Sequence, residues 1–201
     1  MNSALVMCYD LNRKTVGDVA ALAAAEYARY HSMDFVNFEP ARSISPWFYK
    51  VYAALRARCY DYAMVIDADV VMRQPRKENA PPWCKRIAMS TNWAGICTGF
   101  FVTANNPVSM HVLETWMTVG ESIHERYRGS PKDEASLKIL CDNFRWINKA
   151  VAKLPSRLVS SPENGIVGTL AHHFVASAFD ANHQATLAAQ MMDLIRRDRI
   201  K

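Results

Sequence analysis

Residues 62–72 read YAMVIDADVVM, an apolar run that two carboxylates interrupt. A short apolar run of this kind predicts a buried strand. Asp67 and Asp69 are costly to desolvate there unless a cation or a hydrogen-bond donor meets them. Because alternate strand residues share a face, both carboxylates can address one ion, and hard oxygen ligands suit Mg²⁺ or Mn²⁺. An Asx-turn or a salt bridge at the strand end is the structural alternative.

Strands and helices alternate upstream of this stretch. The predicted elements are strands at 4–9 and 34–39, a helix behind the capping-box pair Thr15 and Asp18, and a helix opened by Pro46. This alternation predicts the α/β class, with a mostly parallel sheet and helices on both faces. Ligands bind such sheets at the carboxyl ends of the strands. Asp10, Asp67 and Asp69 all fall at strand ends.

Downstream, the pattern continues to the last residues. An exposed excursion is predicted at 76–86, followed by strands at 86–92 and 96–103 around a turn at 92–95. Two helices follow, one from Asn106-Pro107 to about Tyr127 and one from Ser130-Pro131 through Phe144 and Ile147. The remaining elements are a loop at 159–168, an extended segment at 170–177 and an amphipathic helix from Asn182. The last helix carries Leu187, Met191, Leu194 and Ile195 on one side.

Composition narrows the function classes. Of 201 residues, 50% are hydrophobic and 21% are charged, which excludes a disordered chain. No apolar stretch reaches the length of a membrane span and no leader pattern opens the sequence, so we expect a cytoplasmic protein. Five scattered cysteines argue against a disulfide framework or a structural zinc site. The net charge of +5 favours anionic partners such as nucleotides, or serves solubility alone.

Residues 45–72, SPWFYKVYAALRARCYDYAMVIDADVVM, resemble the donor-site stretch of glycosyltransferases with the GT-A fold. That pattern is a helix carrying Lys or Arg, then Tyr-Asp, an apolar strand and Asp-x-Asp. Three further motifs follow in the family's order. They are residues 95–102 (GICTGFFV), which resemble the strand lining the sugar pocket, residues 131–135 (PKDEA), which resemble an acidic pair at a helix start, and His173-Phe174, which resembles a late histidine of the metal site.

The resemblance covers about residues 4–177 and is closest to the retaining branches of that fold. Cys97 stands where the family often has Asn, and the tryptophan-containing tail that often follows the late histidine is missing. The resemblance implies a single Rossmann-like domain over residues 1–201. Its parts are a nucleotide-sugar-binding part at 1–104, an acceptor-binding and metal-completing part at 105–180, and a C-terminal helix at 181–201.

The resemblance also implies a set of site residues and a cofactor. The metal, Mn²⁺ or Mg²⁺, would be held by Asp67, Asp69 and His173, with His172 as the neighbouring alternative. A nucleotide-sugar donor, most often UDP-linked, would be bound by Tyr9, Asp10, Lys50, Asp67, Thr98 and Gly99. Lys50 could equally be a solvated helix lysine, and Tyr9 and Asp10 could form only a strand-end turn.

Asp133 and Glu134 are the candidate catalytic carboxylates. They could stabilise an oxocarbenium-like state, bind the acceptor or, in an inverting enzyme, deprotonate its hydroxyl. Ser130 and Asp133 also have capping-box spacing, so Asp133 could serve only the helix start.

Two other functions remain open at this point. A nucleotidyltransferase also uses paired Asp and Mg²⁺ on an α/β sheet, but residues 8–18 carry only Gly17 where a Gly-rich phosphate loop is usual. A non-catalytic nucleic-acid-binding relative would use the basic tail, yet no signature of such a module is present. The acceptor of a transferase could be a glycan, a protein or a modified nucleic-acid base.

Overall fold

A computed structural model describes residues 2–92, 95–124, 132–160, 168–174 and 181–200. The described strands are β1 (Ser3–Cys8), β2 (Asp34–Phe38), β3 (Tyr62–Ile66), β4 (Val70–Met72), β5 (Ile87–Asn92), β6 (Gly95–Ala104), β7 (Val151–Lys153), β8 (Val159–Ser160) and β9 (Ala171–His173). The described helices are α1 (Lys14–Tyr30), α2 (Tyr49–Arg56), α3 (Pro107–His124), α4 (Lys132–Asn143), α5 (Arg145–Ala150) and α6 (Ala181–Ile200). Within these ranges no helix has the length and apolar character needed to cross a bilayer.

The central sheet has six strands in the order β2-β1-β3-β6-β5-β7. Neighbours β2 and β1, β1 and β3, and β5 and β7 are parallel, while β6 is antiparallel to both of its neighbours. Five strands therefore share one direction and end at one edge. The predicted α/β class with a mostly parallel sheet is confirmed.

Alternate residues of the central strands pack into two separate hydrophobic cores. Leu5 and Met7 of β1 face a core built with α1 and α6. Ala4 and Val6 face a second core built with α2, α3, α4 and α5. Helices on both faces are what a parallel sheet needs to bury both sides of its strands.

The three strands β4, β9 and β8 form a small second sheet beside the first core. The predicted single strand over 62–72 is therefore wrong. Residues 67–69 make a turn, and β3 and β4 on its two sides belong to different sheets.

Strand β6 carries a bulge opposite the middle of β5. Met89 pairs with Phe101, but the next residue, Ser90, pairs with Cys97, so residues 98–100 have no partner on β5. Bulges redirect side chains and are common next to active sites. This one turns Thr98 and Gly99 toward the end of β3.

The C-terminal helix is held to the small sheet by Arg73, which follows β4. The Arg73 guanidinium makes two hydrogen bonds to the Asp198 carboxylate and donates a third to the Gly168 carbonyl oxygen at 3.0 Å. The amphipathic helix predicted from Asn182 is confirmed, with Leu187, Met191 and Ile195 buried.

Several local predictions need correction. The Thr15–Asp18 capping box does not form, because α1 begins at Lys14 and the Asp18 carboxylate instead accepts hydrogen bonds from Tyr9 and Lys14. The excursion at 76–86 is not fully exposed, because Asn79 is buried and its carbonyl oxygen accepts the Tyr27 hydroxyl at 2.6 Å.

The helix predicted from Pro131 through Ile147 is two helices. Phe144 takes an extended conformation (φ −120, ψ 98) between α4 and α5, and its side chain is exposed rather than packed. Strand β8 occupies the start of the loop predicted at 159–168. Residues 93–94, 125–131, 161–167 and 175–177, which include Ser130 and parts of five predicted elements, lie outside the described residues.

Candidate functional site

The turn at residues 67–69 lies at the carboxyl end of β3. Its conformation is fixed from both sides, because the Asp67 N–H donates to the Gly99 carbonyl oxygen at 2.9 Å and the Val70 N–H donates to the Asp67 carbonyl oxygen at 3.1 Å. A turn tied to the bulge of β6 holds its two carboxylates close to Thr98 and Gly99.

The small sheet brings His173 to this turn. Strand β9 runs antiparallel to β4 with His173 opposite Val70, and the Phe174 N–H donates to the Asp69 carbonyl oxygen at 2.8 Å. His173 Nε2 lies 3.4 Å from Asp69 Oδ1. The imidazole ring rests on Gly99, where an added Cβ would lie 2.6 Å from a ring carbon. Only glycine leaves space for the ring at this position.

Asp67, Asp69 and His173 form what we name the carboxylate–histidine cluster. One ligand atom from each lies within 4.8 Å of the others, and no other such group of three occurs among the described residues. Small side-chain rotations would bring them to the separations of about 3–4 Å that ligands of a single Mg²⁺-sized ion keep. Two carboxylate oxygens and one imidazole nitrogen suit Mn²⁺ as well as Mg²⁺.

His172 lies on the other side of β9. It is opposite Val71 in the pairing with β4, and its ring meets the Phe174 ring edge to face with centroids 4.4 Å apart. Burial, with a smaller contribution from the Arg73 charge, lowers the pKa of His172. Of the two adjacent histidines, the structure places His173 beside Asp69.

Lys50 of α2 is buried, so the reading as a solvated helix lysine is wrong. Its ammonium pairs with Asp67 and with Asp133 Oδ2, the latter at 2.7 Å, and it lies 3.4 Å from Thr98 Oγ1. The Thr98 hydroxyl also donates to Asp133. We name Lys50, Thr98 and Asp133 the lysine cluster, and Asp67 joins it to the carboxylate–histidine cluster.

The charged groups in these two clusters shift one another's pKa values. Burial raises the pKa of Asp67 to about 6 even though the Lys50 ammonium acts in the opposite direction. Burial disfavours the charged form of Lys50, but Asp133 and Asp67 outweigh it and raise the pKa of the ammonium. Burial likewise opposes protonation of His173, yet the adjacent Asp69 carboxylate raises the pKa of His173 well above its ordinary value.

Asp133 and Glu134 open helix α4 but face different surroundings. Asp133 is 2% exposed and its Oδ2 serves both Lys50 and Thr98. Glu134 is only partly buried, and its Oε1 accepts the Thr98 N–H at 3.3 Å, the donor that the bulge leaves without a strand partner. Burial raises the pKa of Glu134.

Tyr9 and Asp10 follow β1, the neighbour of β3, and have local partners. The Tyr9 ring packs on Gly17, where an added Cβ would lie 2.5 Å from a ring carbon, and its hydroxyl donates to Asp18 at 2.9 Å. Burial raises the pKa of Tyr9 to about 12. Asp10 Oδ1 accepts the Asn12 N–H at 3.0 Å, which makes Asp10 the cap of a short 3₁₀ turn. The strand-end turn described above as an alternative is present at Asp10, and Tyr9 packs, partly buried, against the first core.

Two contacts in the site were not predicted from the sequence. The Lys50–Asp133 ion pair joins residues 83 positions apart, and nothing local to either residue points to the other. Cys97 Sγ lies 3.5 Å from His173 Nδ1, across 76 positions. The available signal for Cys97 was its place two residues before Gly99, within the strand motif that the resemblance assigns to the sugar pocket.

Comparison with solved structures identifies the fold of this chain. No protein-family model and no curated protein matches the sequence. Among solved structures, a glycosyltransferase involved in glycosylation of the major capsid of PBCV-1 superposes with a TM-score of 0.70 at 12% identity, covering 96% of this chain and 100% of that one.

Two further solved structures agree. The galactosyltransferase LgtC, in complex with donor and acceptor sugar analogs, gives a TM-score of 0.60 at 13% identity over 96% of this chain and 95% of its own. The glycosyltransferase GlyE of Streptococcus pneumoniae gives 0.60 at 10% identity over 98% of this chain and 63% of its own. The chain therefore has the GT-A-type α/β fold of these glycosyltransferases.

Proposed function

We propose that the chain is a metal-dependent glycosyltransferase that moves a sugar from a nucleotide diphosphate donor to an acceptor hydroxyl. The observation that carries the proposal is the carboxylate–histidine cluster. It combines two oxygen donors and one nitrogen donor at the carboxyl end of the sheet, where α/β folds bind their ligands. The GT-A-type fold supports sugar transfer over other uses of such a cluster.

Asp67, Asp69 and His173 would hold Mn²⁺ or Mg²⁺. A divalent cation there supplies charge stabilisation for a diphosphate leaving group as the glycosidic bond breaks. Lys50 binds Oδ2 of Asp67, which leaves the second carboxylate oxygen for an ion. A UDP-sugar is the donor class that the family resemblance implies, with Thr98 and Gly99 of the bulge beside it and Tyr9 and Asp10 at the neighbouring strand end.

The acidic pair divides into two roles in this proposal. Asp133 positions Lys50 and Thr98, since its Oδ2 is shared between them. Glu134 is the carboxylate that faces the donor sugar, because it is less buried than Asp133 and is tied to the backbone of the sugar-pocket strand. A retaining reaction would use its charge to stabilise the oxocarbenium-like state.

A screen of nucleotide sugars for hydrolysis, with and without Mn²⁺, tests this function through nucleotide release. We expect release from one or a few UDP-sugars, dependent on the metal and lost in Asp69→Asn. Asp193→Asn is the matched control, because that carboxylate is exposed and paired with Arg197 one helical turn away. Metal-independent release, or no release from any nucleotide sugar, would contradict the proposal.

A further inference from the structure

Cys97 lies against the candidate metal histidine. It is 5% exposed on β6, immediately before the bulge, and its Sγ is 3.5 Å from His173 Nδ1. A sulfur atom at that separation is within hydrogen-bonding distance of a ring nitrogen.

The two ring nitrogens of His173 have separate partners. Nε2 faces Asp69 Oδ1 at 3.4 Å, and Nδ1 faces Cys97 Sγ. A metal-ligating histidine needs its other ring nitrogen held by a partner, which fixes the tautomer and the ring orientation. That partner is usually a carboxylate, a carbonyl or water, whereas here it is a thiol.

Cys97 is also the residue before Thr98, whose N–H donates to Glu134 Oε1 at 3.3 Å. A thiol has one weak donor and one weak acceptor. His173 Nδ1–H can therefore donate to the sulfur, and loss of the Nε2 proton that faces Asp69 Oδ1 then leaves a lone pair for a metal.

We propose that Cys97 is a positioning residue for His173. It holds the His173 ring with Nε2 toward Asp69. The inference rests on the metal site of the proposed function and assigns a role to Cys97, whose thiol contacts His173 Nδ1 rather than the Nε2 that faces Asp69.

The test compares Cys97→Ala, Cys97→Ser and Cys141→Ala in the full chain. Cys141 is a matched control because it is similarly buried, at 7% exposure, but lies on α4 within the second core. Mn²⁺ binding is titrated by the electron paramagnetic resonance signal of the free ion, without nucleotide. We expect Cys97→Ala to bind Mn²⁺ about 10–100-fold more weakly. Cys97→Ser keeps a donor and an acceptor and should recover most of the affinity, while Cys141→Ala should match the wild type.

Each outcome decides the inference. Equal Mn²⁺ affinity in Cys97→Ala and the wild type, or equal losses in Cys97→Ala and Cys141→Ala, overturns it. Absence of Mn²⁺ binding by the wild-type chain overturns both this inference and the metal dependence of the proposed function. If the wild type binds Mn²⁺ with the expected dependence on Cys97 but releases nucleotide from no nucleotide sugar, the inference holds and the proposed function fails.

Discussion

Asp67 joins the lysine cluster to the carboxylate–histidine cluster, but the two clusters differ in the source of their positive charge. In the lysine cluster the side chains of Lys50 and Asp133 are 8% and 3% exposed, and the ammonium neutralises the carboxylate from inside the protein. In the carboxylate–histidine cluster Asp69 and His173 are more open, at 15% and 12%, and Asp69 Oδ1 lies 3.4 Å from His173 Nε2.

This difference separates a group that supports the fold from a group suited to bind a ligand. A buried charge without its partner is strongly destabilising, so every member of the lysine cluster depends on the others. The carboxylate–histidine cluster has excess negative charge near solvent, which a cation from outside can neutralise. Substitutions in the first should therefore change stability, and substitutions in the second should change binding.

Removing the internal cation should have the largest effect. Lys50→Met leaves Asp67 and Asp133 without their partner, and breaking a buried pair in this way costs about 3–5 kcal/mol of unfolding free energy. Urea denaturation measures the loss. Lys138→Met is the control, because Lys138 is exposed and paired with Asp142 on the same helix, and it should leave the urea midpoint unchanged. Equal effects of the two substitutions would remove the distinction between the clusters.

Removing a carboxylate from the other cluster should weaken binding without weakening the fold. Asp69→Asn is expected to lower Mn²⁺ affinity by at least about 100-fold, beyond the loss typical of a supporting partner of a ligand. At a pH where His173 is deprotonated, its thermal midpoint should stay the same or rise, because one of two neighbouring carboxylates is gone. Calorimetry with Mn²⁺ and thermal unfolding measure the two quantities. A large loss of stability with retained affinity would reverse the roles of the clusters.

The adjacent histidines give a smaller and more local comparison. His173→Ala should weaken Mn²⁺ binding about 10–100-fold, whereas His172→Ala should leave it unchanged, since its ring faces Phe174 on the other side of β9. The same Mn²⁺ titration measures both variants. A stronger effect from His172 would show that β9 presents its other face to the ion.

The pH dependence of stability is the smallest expected effect. The pKa of His173 is raised in the folded protein, so its contribution is fully present below pH 6.5 and is lost as the pH rises through the folded value. The pKa of Asp67 is raised from 3.8 to about 6, so its contribution to stability also falls with rising pH, over a lower pH range. The thermal midpoint of the metal-free wild type should fall by a few °C as the pH rises above 6.5, compared with the change in the midpoint of His173→Ala over the same pH range. Mn²⁺ should reduce this decline, because it replaces protons as the source of positive charge.

Local patterns were enough to predict much of the fold. The alternation of apolar runs and helical periodicity gave the sheet and its flanking helices, and the Asp67-Ala68-Asp69 triplet was visible as two carboxylates ending a strand. The turn that separates β3 from β4 was not predicted, because an apolar run contains no sign that its halves belong to different sheets. The extended conformation of Phe144 was missed because its helical spacing suggested a buried position.

The site was harder to predict where it depends on distant partners. A solvated Lys50 was one of the expectations from the sequence, but whether this side chain meets solvent depends on Asp133 of α4. The capping reading of Asp133 rests on Ser130, which lies outside the described residues, and remains a prediction. The pairing of β4 with β9 determines which histidine reaches Asp69, and nothing in either short strand encodes the other.

The antiparallel pairing of β4 with β9 has a kinetic consequence. Asp69 and His173 are about one hundred positions apart, so loop closure makes their contact expensive to form early in folding. A cation held between them would stabilise the native state after the transition state has passed. Bound metal should then slow unfolding while leaving the refolding rate nearly unchanged.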